Sequence, residues 1–289
     1  MRRAATATGV IGVVLALALA AVRDVRPASI ETAPPVTASV YPAPEPVGLM
    51  VTSGGWAYCE QARPVARRTR HTLLCGTFDE DGYRGPGLRS ERHLDWGNPR
   101  YLARFAEAID ALHRRVGGQL VLIGASYAGF GVATLASHHP ELRPDRLIVI
   151  DSYLDLVARR RALPDTHETA REIDREAGTS PDALRQRSTR VDGLARLVRG
   201  GTQLTVVWSI TEQEQRLFRG ATCNRDASAA TLARLARTLG RPVPAWITHS
   251  RHGVNLWRRG AGMVRGSNPG RKVSFRPDGA IPPGAVCES

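Results

Sequence analysis

The segment Gln119–Ala136, QLVLIGASYAGFGVATLA, constrains this chain more than any other stretch. It opens on the run Leu120-Val121-Leu122-Ile123, which does not alternate apolar with polar. An unbroken apolar run of that length suits a strand covered on both faces. Helices must then pack on both sides of the sheet, which makes the chain an α/β protein with a mostly parallel sheet. A cluster of small residues follows, Gly124-Ala125-Ser126-Tyr127-Ala128-Gly129, and then a helical stretch. A sharp strand-to-helix turn needs small residues two before and two after its apex, because larger side chains would strike the adjoining strand or helix. Gly124 meets the first condition. Ala128 meets the second with one extra methyl group. The apex is a serine, Ser126.

The rest of the chain repeats the alternation of apolar runs with amphipathic stretches. Strands are expected at Val47–Thr52, Thr72–Thr77, Gln119–Gly124, Arg146–Asp151, Gln203–Trp208 and Ala245–Thr248. A helix is expected over Pro99–Val116. Asn98 can cap it, Pro99 suits its first turn and Gly117 can end it. Another should run from Ala227 to Leu239, with Asp226 as cap and Gly240 as stop. The stretch 157–200 is charged and lacks a strong strand; it reads as a helical cap insertion over the carboxyl edge of the sheet, or as a surface excursion. Repeated prolines make 27–46 an extended linker, and the Gly- and Pro-rich stretch 258–289 reads as an irregular tail. The domain itself is expected over 47–257.

The strand–turn–helix around Ser126 resembles the nucleophile elbow G-x-S-x-G of the α/β-hydrolase superfamily, with Ala128 in place of the second glycine. The resemblance covers Val47 to Trp257, and the superfamily's first two strands are not evident upstream of Val47. It implies that Ser126 is a nucleophile, with an acid and then a histidine following in chain order. A serine hydroxyl needs a base to take its proton and a carboxylate to orient that base. For the base the resemblance favours His252 over His249, because His252 should fall in the loop after the last strand. For the acid it favours Glu212, with Glu214 and Asp151 as alternatives. The backbone N–H of Tyr127 should form one half of an oxyanion hole. The loop Ser53-Gly54-Gly55-Trp56 should supply the other half through Gly55 or Trp56. No metal or cofactor is implied.

The function so implied is hydrolysis of a carboxylic ester, thioester or amide through an acyl-enzyme, on a small-molecule or acyl-ester substrate. Two alternatives remain: a cell-envelope acyltransferase using the same triad, and a non-catalytic binding protein with this fold. The net charge of +13 does not redirect this reading. Lys272 is the sole lysine and the arginines are scattered, so no nucleic-acid partner is expected. Arg2 and Arg3, the aliphatic stretch Gly9–Val22 and Ala18-Leu19-Ala20 have the order of a secretory signal over 1–26, either cleaved or kept as a membrane anchor. Export would suit the four cysteines, for which the pairs Cys59–Cys75 and Cys223–Cys287 are expected.

Overall fold

The computed structural model describes residues 28–29, 38–54, 56–76, 96–209, 224–249 and 254–285. They form a nine-stranded sheet in the order β1-β2-β4-β3-β5-β6-β7-β8-β9. The strands are β1 (Ala28–Ser29), β2 (Ala38–Tyr41), β3 (Gly48–Thr52), β4 (His71–Gly76), β5 (Gln119–Ala125), β6 (Arg146–Ile150), β7 (Gln203–Ser209), β8 (Val243–Thr248) and β9 (Arg271–Phe275). β3 to β8 are mutually parallel. β1, β2 and β9 run antiparallel to their neighbours at the two edges.

The alternating faces of the buried strands sort the core into two layers. Leu120, Leu122, Leu147, Val149, Val206 and Trp208 face one way, toward α2 (Pro99–Val116), α3 (Tyr127–His138), α7 (Val191–Arg199) and α8 (Asp226–Leu239). Val121, Ile123, Ile148, Ile150 and Val207 face the other way, toward α1 (Trp56–Thr69) and α9 (Val254–Val264). Helix α2 follows from its sequence: the Asn98 side chain accepts from Arg100 N, Pro99 opens the first turn, and Gly117 stops the helix at a φ of 69°. Leu102, Phe105, Ile109 and Leu112 form its buried stripe.

Three expectations need correction. The stretch 27–46 is not only a linker: Ala38–Tyr41 pairs with β4 from Ala38↔Gly76 to Tyr41↔Leu73, so two strands do precede Val47. The stretch 258–289 is not irregular throughout, since it holds most of α9 and all of β9, which pairs with β8. Asp226 is the first helical residue of α8, with Arg225 in the cap position.

The region read as a cap is helical. It contains α4 (Leu156–Arg161), α5 (Glu168–Ala177), α6 (Pro181–Arg187) and α7. Its helices do different jobs. Leu156, Val157, Leu163, Ala170, Ile173, Ala177 and Leu184 pack with Trp96, Tyr127, Phe130 and Tyr153 into a third apolar cluster beside the end of β5. By contrast, α7 lies in the main layer against α3. There Gly193 passes so close to Ser137 that a Cβ would come within 1.8 Å of the Ser137 carbonyl oxygen.

Candidate active site

Parallel strands end at the same edge, so the residues that follow β3, β5, β6, β7 and β8 gather along one line. Ser126 directly follows β5. Its φ of 52° and ψ of −123° lie outside the regions that L-residues favour. Such a conformation costs on the order of 1–3 kcal/mol and persists only where the surroundings impose it. The surroundings here are specific. The Ser126 amide still donates to Ile150 O at 2.8 Å, so sheet pairing continues up to the apex. The Ser126 carbonyl then accepts from Gly129 N and Phe130 N and starts α3.

Glycine is required at the base of this turn. A Cβ on Gly124 would lie 2.3 Å from the Ala128 carbonyl oxygen, and one on Gly129 would lie 2.6 Å from Ser152 Cβ. Ala128 is fully buried, and its methyl faces Gly54. Ser126 itself is half-buried and stands at the N-terminus of α3.

Tyr127 is the first residue of α3, a position whose N–H has no acceptor within the helix. Its hydroxyl accepts from the Trp96 N–H at 3.1 Å. Its ring meets Trp96 edge-on at 4.8 Å between centroids. Phe130 and Tyr153 stack beside them at 5.0 Å. The residue after Ser126 is therefore held from its side-chain end.

The loop after β3 is tied to the same turn. Ser53 Oγ donates to the Ala128 carbonyl at 3.1 Å in a buried position. Gly54 adopts a φ of 95°, and a Cβ there would meet the Tyr58 ring at 2.7 Å and Ala128 Cβ at 3.0 Å. Helix α1 starts at Trp56, so the backbone amide of Trp56 opens a helix next to the elbow. Gly55 lies outside the described residues.

Asp151 directly follows β6, the strand beside β5, and is 3% exposed. It too has a positive φ, 45°. Its carboxylate accepts from the Ser209 amide on one oxygen and from Ser209 Oγ at 2.8 Å on the other. Its carbonyl accepts from Asn224 Nδ2 at 2.6 Å. A buried carboxylate fixed in this way is oriented before any substrate arrives.

His249 is exposed and directly follows β8. His252 lies outside the described residues, in the interval between Thr248, the end of β8, and Val254, the start of α9. Glu212 and Glu214 also lie outside them, in the interval after Ser209. Sequence reasoning placed Ser53 in the oxyanion loop without its bond to Ala128, and missed two further supporting residues, Trp96 and Ser209. Only Ser209 carried a signal, as a hydroxyl ending the apolar run Val206-Val207-Trp208.

The expected Cys59–Cys75 bridge is corrected. Both residues are buried free thiols, hydrogen-bonded to each other where α1 crosses β4. Burial, and then contact with Cys59, push the Cys75 thiol well above its ordinary range, which favours the protonated form. Cys223 and Cys287 lie outside the described residues. The tail is held to the domain by other means: β9 pairs with β8, Ala285 is buried in the core, and Arg225 donates to the Gly284 carbonyl at 2.7 Å.

No family profile matches this chain, and no curated protein matches it in sequence. Among solved structures it is similar to an acylaminoacyl peptidase from Pyrococcus horikoshii. That similarity has 13% identity and a TM-score of 0.56, over 91% of this chain and 42% of the other. It is also similar to a poly(3-hydroxybutyrate) depolymerase from Bordetella parapertussis, with 16% identity and a TM-score of 0.48 over 83% and 86% of the two chains. An acetyl xylan esterase from Paenibacillus sp. R4 shares 14% identity at a TM-score of 0.47 over 80% and 78%. This chain has the α/β-hydrolase fold: a mostly parallel sheet flanked by helices on both faces.

Proposed function

We propose that the protein is a serine hydrolase that cleaves a carboxylic ester or thioester through an acyl-enzyme. The observation that carries this reading is the backbone of Ser126, held at a φ of 52° between a buried strand and a helix by a turn that admits only glycine at 124. A strained residue clamped at the edge of a sheet is a reason to look for chemistry there.

In the proposed reaction the Ser126 hydroxyl attacks the substrate carbonyl carbon while His252 takes its proton. The negative charge that develops on the carbonyl oxygen is met by the Tyr127 N–H and by Gly55 or Trp56. Collapse of the tetrahedral intermediate expels the alcohol or thiol, which takes the proton from the imidazolium. Water then attacks the acyl-enzyme, gives its proton to His252 and releases the acid, restoring Ser126. Asp151 is the orienting acid in this scheme. Its burial and its two hydrogen bonds from Ser209 support that role ahead of Glu212 and Glu214.

The protein is further proposed to act outside the cytoplasm, on the strength of the basic and then aliphatic order of its first residues. Among the described residues no helix is long and apolar enough to cross a membrane. The direct test of the chemistry is labelling with a fluorophosphonate probe. Wild type should react at one site and Ser126→Ala should not, and an ester and thioester panel should then identify the acyl group.

A further inference from the structure

A cavity of about 620 Å³ lies where the cap helices meet the main helical layer, within the size range of small-molecule sites. Five arginines line it: Arg161 from α4, Arg185 from α6, Arg190 just before α7, Arg196 from α7, and Arg234 from α8. Few carboxylates balance them. Asp155 caps α4 by accepting from Ala158 N at 3.0 Å and stands 3.7 Å from Arg234. Arg185 pairs with Asp182 of its own helix in an exposed contact, which contributes little. Asp192 is the other acid in the lining. Among the described residues, no carboxylate pairs with the guanidinium of Arg161, Arg190 or Arg196.

We propose that this cavity binds a soluble ligand bearing a phosphoryl group. All five arginines are exposed, and they are carried by four helices and by the residue before α7, so one bound group can be met by several of them. A planar carboxylate offers two oxygens in one plane, whereas a phosphoryl group offers three around a tetrahedron and carries up to two charges. Such a ligand would also relieve the mutual repulsion of the arginines around it. The site is separate from the nucleophile. Ser137 and His138 of its wall are at the far end of α3 from Ser126, roughly 16 Å along the helix.

The position gives binding a structural consequence. Ser188, Thr189 and Arg190 line the cavity at the point where the cap rejoins the main layer. Thr189 N donates there to Leu154 O at 3.1 Å, and the Ser188 carbonyl accepts from His138 Nε2 at 3.0 Å. A ligand bridging Arg161 and Arg196 would tie a cap helix to a main-layer helix and raise the unfolding temperature.

Titration calorimetry of the full chain with inorganic tripolyphosphate in 0.15 M salt, roughly physiological ionic strength, tests the proposal. One saturable site is expected. Arg161→Gln/Arg196→Gln should weaken it at least a hundredfold, at about tenfold for each charge-assisted hydrogen bond removed. Arg67→Gln/Arg68→Gln on the exposed side of α1 should leave it unchanged, as should Ser126→Ala. Citrate should bind at least about tenfold more weakly than tripolyphosphate. Should the double variant fail to fold, Arg190→Gln alone carries the test, with a drop of about tenfold. Wild-type affinity in the Arg161/Arg196 variant, or an equal loss in the Arg67/Arg68 variant, would overturn the site. Citrate binding as tight as that of tripolyphosphate would overturn the phosphoryl assignment.

Discussion

Ser126 and Asp151 stand at the ends of neighbouring parallel strands, and both leave the sheet with a positive φ, 52° and 45°. The Ser126 amide donates to Ile150, the residue just before Asp151. One strained backbone is thus held in place by the strand that carries the other. The two should act in one reaction. Ser126→Ala should lose probe labelling and nearly all hydrolysis while keeping its unfolding midpoint. Asp151→Asn should lower kcat by roughly 10³–10⁴, because the amide can no longer hold the histidine in its reactive tautomer. Glu212→Gln and Glu214→Gln should cost less; if either costs more than Asp151→Asn, the acid has been misassigned.

The two histidines near β8 should separate cleanly. In the proposed reaction His252→Ala should disable hydrolysis about as severely as Ser126→Ala, since a nucleophile and its base act as a unit. His249, exposed at the very end of the strand, should tolerate alanine with a loss of a few-fold at most. Steady-state kinetics on a short-chain ester would read both. A severe loss in His249→Ala with a mild one in His252→Ala would reverse the assignment.

Gly124→Ala tests the turn itself. The added methyl would have to displace the Ala128 carbonyl, and with it the acceptor of the Ser53 hydrogen bond. Overpacking of this kind costs about 1–3 kcal/mol. Urea denaturation should show a loss of that size, together with a fall in kcat larger than any change in KM.

Acidification should destabilise the fold before the carboxylates titrate. Burial pushes the imidazoles of His71 and His138 below their ordinary value. The unfolded chain then binds protons that the folded chain excludes, so stability rises with pH. The contribution is complete above about pH 6.5 and is lost as the pH falls below it. Thermal midpoints between pH 7.5 and 5.5 should therefore fall, and His138→Gln should flatten the slope.

Cys59 and Cys75 should behave as inert thiols in the native protein. Both are buried, and burial favours the protonated form of Cys75, which is the poorer nucleophile. Peptide-resolved alkylation with iodoacetamide should label neither within minutes at pH 7.5 and both after denaturation. Equal labelling in the two states would contradict the packing of α1 on β4.

The central strands and the elbow were legible because their signals are local. A strand buried on both faces loses its polar alternation, and the run before Ser126 shows this directly. Residues 38–41 were hidden by the prolines that flank them, although only alternate residues, Ala38 and Val40, are buried. Helix α9 was hidden by its glycines. Gly260 is there because α9 presses on α1, where a Cβ would come within 2.9 Å of Val65. Composition reads such a glycine as loop, yet in the fold it marks a close helix crossing. Asp151 was legible as one of three candidate acids, at the end of an expected strand, but its fixed orientation was not. It depends on Ser209, 58 residues further along the chain, and no local pattern connects them.

The hydrogen bonds of Ser188 and Thr189 give the cap a property beyond its packing. Leu156 N donates to Ser188 Oγ at 2.9 Å, and Thr189 N donates to Leu154 O. The chain therefore leaves the sheet layer and returns to it at a single clasp. Everything between, 157–187, is a cassette with adjacent ends. Its exposed turns can change in length without moving β6 or α7, much as a loop can be lengthened at small entropic cost once its ends are joined. Change within 157–187 would thus alter the apolar cluster that holds Tyr127 while the sheet that carries Ser126 stays in place.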